Sequence, residues 1–233
     1  MYWQGFFTAF VYHFPKYFRR ATDDAAIYYS ARSGTEYHHP KVEGQIVVDV
    51  GAHIGGFTEY ALQHGAVGVH AFEANAANFD YLQRNCGHHS NAYLNQAALW
   101  WSNKDQLRSC PVSRKNTGGA FLKHASEAQV PLITLPDYLQ AHQLSHIDLL
   151  KLDCEGSEFP ILYSLPPEVL RNIKRILGEF HNGYAAQLFH YDHERQPHIN
   201  FLLPYLTAQG FRCTLLRTGS NGLGIFEAKR VGA

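Results

Sequence analysis

The 233 residues suffice for one large domain, or a domain with an added segment, and 45% apolar residues supply its core. Twenty basic residues balance twenty acidic ones, so the chain lacks the basic excess expected of a nucleic-acid binder. Cys86, Cys110, Cys154 and Cys213 are scattered and form no CxxC pair, which excludes a disulfide framework or zinc ribbon and makes a reducing cytoplasm the expected location.

The N-terminal stretch MYWQGFFTAFVYHFPKYFRR carries its charges late, at Lys16, Arg19 and Arg20, unlike a signal peptide. It is also too short and interrupted to span a bilayer. Trp3, Phe6, Phe7, Phe10 and Phe14 share one helical face. Residues 1–40 therefore read as an aromatic helical segment capping a pocket, and residues 41–233 as the main domain. A homodimer surface or a peripheral membrane contact are the alternatives for that aromatic face. Ala21–Glu43 is polar and mixed, a lead-in to the domain.

From there strand-like and helix-like stretches alternate. Ile46–Val50 is an apolar strand, Phe57–His64 a helix stopped by Gly65, and Gly68–Phe72 a second strand. Asn75 caps a helix through Cys86, and Ala92–Leu94 is a third strand. Ala97–Leu135 is β-rich and irregular and includes the aperiodic loop PVSRKNTGGAF. A helix over Leu135–His142 precedes strand Ile147–Leu152, and Pro167–Asn172 starts a helix before strand Arg175–Phe180. Phe211–Leu216 and Gly224–Ala228 flank a Gly/Asn turn and form a hairpin. The sum is a doubly wound, Rossmann-like α/β sheet, mostly parallel, with a C-terminal antiparallel hairpin.

In VVDVGAHIGGFTEYA the first strand breaks at a glycine loop and restarts as a helix. A dinucleotide fingerprint would place glycine where this chain has Asp49, and a carboxylate there repels a pyrophosphate. It suits a ligand with a cationic amino group and sulfonium, whose amino-acid part Asp49 could bind; alternatively Asp49 orders the loop. Gly51 and Gly55 would let backbone approach the ligand. Glu73, 22 positions beyond Gly51 at the tip of the second strand, is placed to hold a ribose diol. The bland alternative is that Asp49 and Glu73 are strand-end caps.

VVDVGAHIGGFTEYA, VHAFEANAANFDYLQRN and IDLLKLDCEGSEFPIL together resemble the FkbM-type family of S-adenosylmethionine-dependent methyltransferases, over about Glu36 to Phe180. The resemblance implies a class I methyltransferase fold and methyl transfer to a hydroxyl of a sugar, lipid or natural product. His53 departs from it, since the family more often has asparagine there. The expected cofactor contacts are Asp49, Gly51, Ala52, His53, Gly55, Thr58, Glu73, Ala74, Asn78, Ala97 and Asp153.

Acceptor chemistry is expected after the fourth and fifth strands. KLDCEGSEF offers Lys151, Asp153, Glu155 and Glu158, and GEFHNG offers Glu179, His181 and Asn182. Methyl transfer to an alcohol needs an in-line oxygen and a base. His181 is the expected base, because imidazole titrates near neutrality. Asp153 or Glu155 would orient it, or serve instead. Glu158 reads as a helix cap. His190, Asp192, His193 and His198 lack a third fixed ligand, and no metal is expected there. A magnesium ion between Asp153 and Asn182, as in catechol-type enzymes, is not supported by the resemblance. The other readings are N-methylation, a nicotinamide-dependent oxidoreductase and a non-catalytic nucleoside-binding protein; the retained acceptor-side polar residues argue against the last.

Overall fold

The computed structural model describes residues 17–110, 115–125, 129–183, 191–219 and 222–232. The aromatic face of residues 1–16, along with Tyr184, Phe189 and His190, lies outside them. In chain order the elements are α1 Asp24–Arg32, β1 Ile46–Val50, α2 Gly56–Gln63, β2 Gly68–Phe72, α3 Ala76–Cys86, β3 Ala92–Asn95, β4 Ala98–Leu99, β5 Leu107–Cys110, β6 Phe121–His124, β7 Leu132–Ile133, α4 Leu135–Ala141, β8 Ile147–Leu152, α5 Glu158–Ser164, α6 Pro167–Arg171, β9 Ile173–His181, α7 Ile199–Ala208, β10 Phe211–Thr218 and β11 Leu223–Arg230.

Seven strands form one sheet in the order β10-β11-β9-β8-β1-β2-β3. β1 pairs in parallel with β2 and β8, β2 with β3, and β8 with β9, while β11 runs antiparallel to both β9 and β10. The doubly wound architecture with its closing hairpin is as the sequence predicts. Because strand side chains alternate in direction, neighbouring residues feed opposite layers. Val48, Leu150, Ile176 and Phe226 join one core with α4, α5 and α7, whereas Val47, Leu149, Leu177 and Ile225 join the other with Phe57, Tyr60 and Ala61 of α2.

The irregular middle resolves into two small sheets, β4 with β7 and β5 with β6, beside the carboxyl ends of the main strands. Two helices depart from expectation. α1 lies within the stretch read as a polar lead-in and packs against α2, burying Tyr28 and Ala31. α7 contains Pro204 and begins at His198, whose Nδ1 accepts from the Asn200 amide at 3.1 Å. No helix among the described residues is long and apolar enough to cross a membrane.

Candidate active site

The site forms where β1, β2 and β8 end. Gly51 follows β1 with φ +76°, and a Cβ there would stand 1.8 Å from the carbonyl oxygen of Asp153. At Gly55, φ is +97° and a Cβ would stand 2.5 Å from Sγ of Cys86. These glycines are therefore required by contacts within the protein. Gly51 borders the cleft and Gly55 lies outside its lining.

Asp49 is fully buried beneath the loop. Its Oδ2 accepts from the Thr58 hydroxyl at 2.7 Å, and its Oδ1 lies 3.0 Å from Nζ of Lys151. The same ammonium donates to the Gly51 carbonyl at 3.0 Å. Burial opposes the charge on Lys151, but Asp49 and Asp153 outweigh it and raise its pKa. Of the two roles open to Asp49, ordering the loop is the one its contacts serve. Asp49, Thr58, Ala52 and Gly55 are not brought to the cleft wall, whereas Gly51, His53, Glu73, Ala74, Asn78, Ala97, Asp153 and Glu155 are.

These residues line one partly open cleft above the ends of β1, β2 and β8. At one end Glu73 is nearly buried. Its Oε2 accepts from the His53 amide at 2.8 Å, and its Oε1 from the Asn75 amide at 2.8 Å and Nδ2 of Asn78 at 3.3 Å. Burial pushes its carboxyl up to about 7 against those donors. A buried carboxylate aimed into a cavity with a strained amide beside it fits a ribose diol. His53 holds φ +52°, the left-handed region that asparagine, aspartate and histidine tolerate better than most residues.

A second set of contacts closes this end. Thr117 donates to Oδ1 of Asp24 at 2.5 Å and lies 2.9 Å from Nε2 of His53, so it accepts the imidazole proton. Burial depresses that imidazole to about 4, leaving it neutral. Arg19 bonds Asp24 at 3.0 Å and Oδ1 of Asn78 at 2.7 Å, tying the chain before α1 to α3. Sequence reasoning missed Arg19, Asp24 and Thr117, and also Ser109, Gly118, Ala120 and Leu122, which line the cleft from the β5–β6 hairpin and its loop. No motif marks any of them.

At the other end Asp153, Cys154, Glu155 and Ser157 line the wall. The Tyr37 hydroxyl donates to Oδ2 of Asp153 at 2.5 Å, and Lys151 lies 4.0 Å from the same oxygen. Burial opposes ionisation of Asp153, but Lys151, His181 and the Tyr37 bond hold its pKa below the ordinary carboxylate value. Glu158 does more than cap α5: it accepts from the amides of Cys154 at 2.7 Å and Gly156 at 2.9 Å, and its Oε1 meets Nδ1 of His181 at 3.1 Å. Nε2 of His181 lies 3.5 Å from Oε2 of Glu155.

Burial would depress the His181 imidazole, but Glu158, Glu155 and Asp153 outweigh it and push the pKa up to about 10. So raised, the imidazole favours its protonated form at neutral pH, which speaks against its expected role as base. His181 also stands behind the cleft wall. Burial lifts Glu155 to about 7, against the pull of His181. Oδ1 of Asn182 accepts from the Ile199 amide at 2.8 Å.

The family described as the methyltransferase FkbM domain matches residues 49–213. None of the curated proteins matches the chain. Among solved structures, the methyltransferase FkbM from Methylobacillus flagellatus is similar at 14% identity and TM-score 0.49, over 79% of this chain and 43% of that one. The precorrin-6y methyltransferase from Geobacter metallireducens is similar at 12% identity and TM-score 0.47, over 94% of both chains. Likenesses this distant say nothing about substrate.

Proposed function

The chain belongs to the FkbM methyltransferase family and is an S-adenosylmethionine-dependent methyltransferase, and from that premise we propose that it methylates a hydroxyl of a small molecule such as a sugar, glycolipid or natural product. When bound, the cofactor supplies a methyl group made electrophilic by the positive sulfur. The observation that carries the reading is a single cleft with the diol-type carboxylate Glu73 at one end and the carboxylates of Asp153 and Glu155 at the other.

Glu73, oriented by the His53 amide, would hold the ribose end, with Asn78 and Ala97 beside it. Glu155 would take the proton that the acceptor hydroxyl loses as it is methylated. Glu155 suits that task because it lines the cleft and its carboxyl lies near neutrality, whereas Asp153 is a weaker base engaged by Tyr37. His181, as an imidazolium behind Glu155, orients that carboxylate.

The test incubates the protein with methyl-labelled S-adenosylmethionine and a panel of sugars, lipids and polyketides, each paired with its amine analogue. Label in the hydroxyl compounds is expected, and Glu155→Gln is expected to lower turnover by roughly 10²-fold or more with unchanged S-adenosylhomocysteine affinity. Label in the amines alone would replace the reading with N-methylation.

A further inference from the structure

One buried polar group on the cleft wall is not used by the fold. Ser157 lines the cleft and is only 2% exposed, and its Oγ is buried with no hydrogen-bond partner among the described residues. A buried hydroxyl left unpaired is less favourable than a methyl group in the same place. The backbone of Ser157 is engaged. Its amide donates to the Cys154 carbonyl at 3.2 Å, and its carbonyl accepts from the Ile161 amide at 3.1 Å, which fixes where the side chain starts.

Its place in the chain does not account for the hydroxyl. Ser157 stands at the N-cap of α5, where a serine ordinarily accepts from an amide of the first turn. That bond goes with extended backbone angles. Ser157 has helical ones, φ −75° and ψ −11°, and makes no capping bond. The amides of Cys154 and Gly156 just before it are taken by Glu158 instead. Its surroundings describe a ligand. Val50, Phe72 and Leu99 line the same cleft and share one core with Phe159 of α5, two residues beyond Ser157. Ala98 and Leu122 extend that apolar lining. An apolar wall with one polar group suits a flat heteroaromatic base, whose rings pack on the wall while a ring nitrogen accepts from the hydroxyl. The cationic methionyl part of the cofactor is better matched by the carboxylates of Asp153 and Glu155.

We propose that the Ser157 hydroxyl binds the adenine of the cofactor, donating its proton to a ring nitrogen, and so helps the site select that base. The inference rests on the cofactor that family membership supplies and is independent of which acceptor is methylated. Ser157 takes no part in the proton transfer assigned to Glu155.

The test is calorimetry of the full chain and of Ser157→Ala with S-adenosylhomocysteine and its 1-deaza, 3-deaza and 7-deaza analogues. In each analogue a carbon replaces one ring nitrogen of the base. Ser157→Ala is expected to bind S-adenosylhomocysteine about 3–10-fold more weakly, the range for one neutral hydrogen bond. Its urea midpoint is expected to be no lower than that of the unaltered chain, because the variant buries no unpaired hydroxyl. One deaza analogue is expected to bind the unaltered chain weakly and to lose nothing further in the variant. Equal affinity of the two proteins for S-adenosylhomocysteine would overturn the proposal. So would an equal further loss with all three analogues, which moves the bond off the base, or a lowered urea midpoint, which makes the hydroxyl structural. Failure of the unaltered chain to bind S-adenosylhomocysteine at all would overturn the cofactor reading as well, so the two failures are distinct.

Discussion

Glu73 carries two pH effects of opposite sign. Its carboxyl in the folded protein lies near 7, above the usual 4.5, because burial opposes its charge more than three donors support it. A raised acid pKa stabilises the fold below the unfolded value and loses that contribution as pH rises through about 7. Binding runs the other way, since the carboxylate is the form that accepts from a ribose diol. Affinity for S-adenosylhomocysteine should therefore rise between pH 6 and pH 8 by about tenfold, as a carboxyl near 7 loses its proton. A flat profile by calorimetry across that window, with the protein folded throughout, would show that Glu73 does not meet the ligand. Glu73 was legible in the sequence because its distance from the glycine loop is a local, countable spacing. The partners of Asp153 were not: Tyr37 lies 116 positions away, and its hydroxyl signals nothing until the fold brings it to 2.5 Å. The setting of His181 was hidden the same way, since Glu158, which helps raise its pKa, lies 23 positions earlier.

Elements bounded by runs of apolar residues were legible, and those bounded by tertiary contact were not. β1, β2 and β8 each place almost every side chain in a core, so their sequences read as continuous apolar stretches. α1 shows no such run, because it packs on α2 chiefly through Tyr28 and Ala31. α7 was hidden by Pro204, which removes one helical hydrogen bond and crowds the preceding turn yet lies inside the helix. The strand ends are tied by Lys151, which reaches from β8 to Asp49 on β1 and to the Gly51 carbonyl. Both partners of that ion pair are buried, so removing one charge strands the other. Lys151→Met should destabilise the protein by about 3–5 kcal/mol, the range found when a buried pair is broken. Urea unfolding checks this; a midpoint within error of the unaltered protein would mean that Asp49 finds another partner.

At the scale of the molecule, the sheet order explains why residues from three strands line one cleft. β1, β2 and β8 are adjacent, so the glycine loop, Glu73 and Asp153 all emerge on one edge. The chain before α1 and the β5–β6 hairpin then cover that edge from either side, through Arg19 on Asn78 and through Ser109 and Leu122 on the cleft wall. The parallel core was legible because its alternation of apolar runs and helix caps is local. The cover was not, because its residues are polar or small and their contacts span from 39 to 93 positions. The measurement that tests the central claim most directly is a calorimetric titration of the full chain with S-adenosylhomocysteine at pH 8, alongside Glu73→Ala. The account predicts one site per chain, weakened in the variant by about 1.5–3 kcal/mol, the range for hydrogen bonds to a charged group, with no heat from a nicotinamide dinucleotide. Binding of the nucleotide in place of the nucleoside, or equal affinity in both proteins, would contradict it.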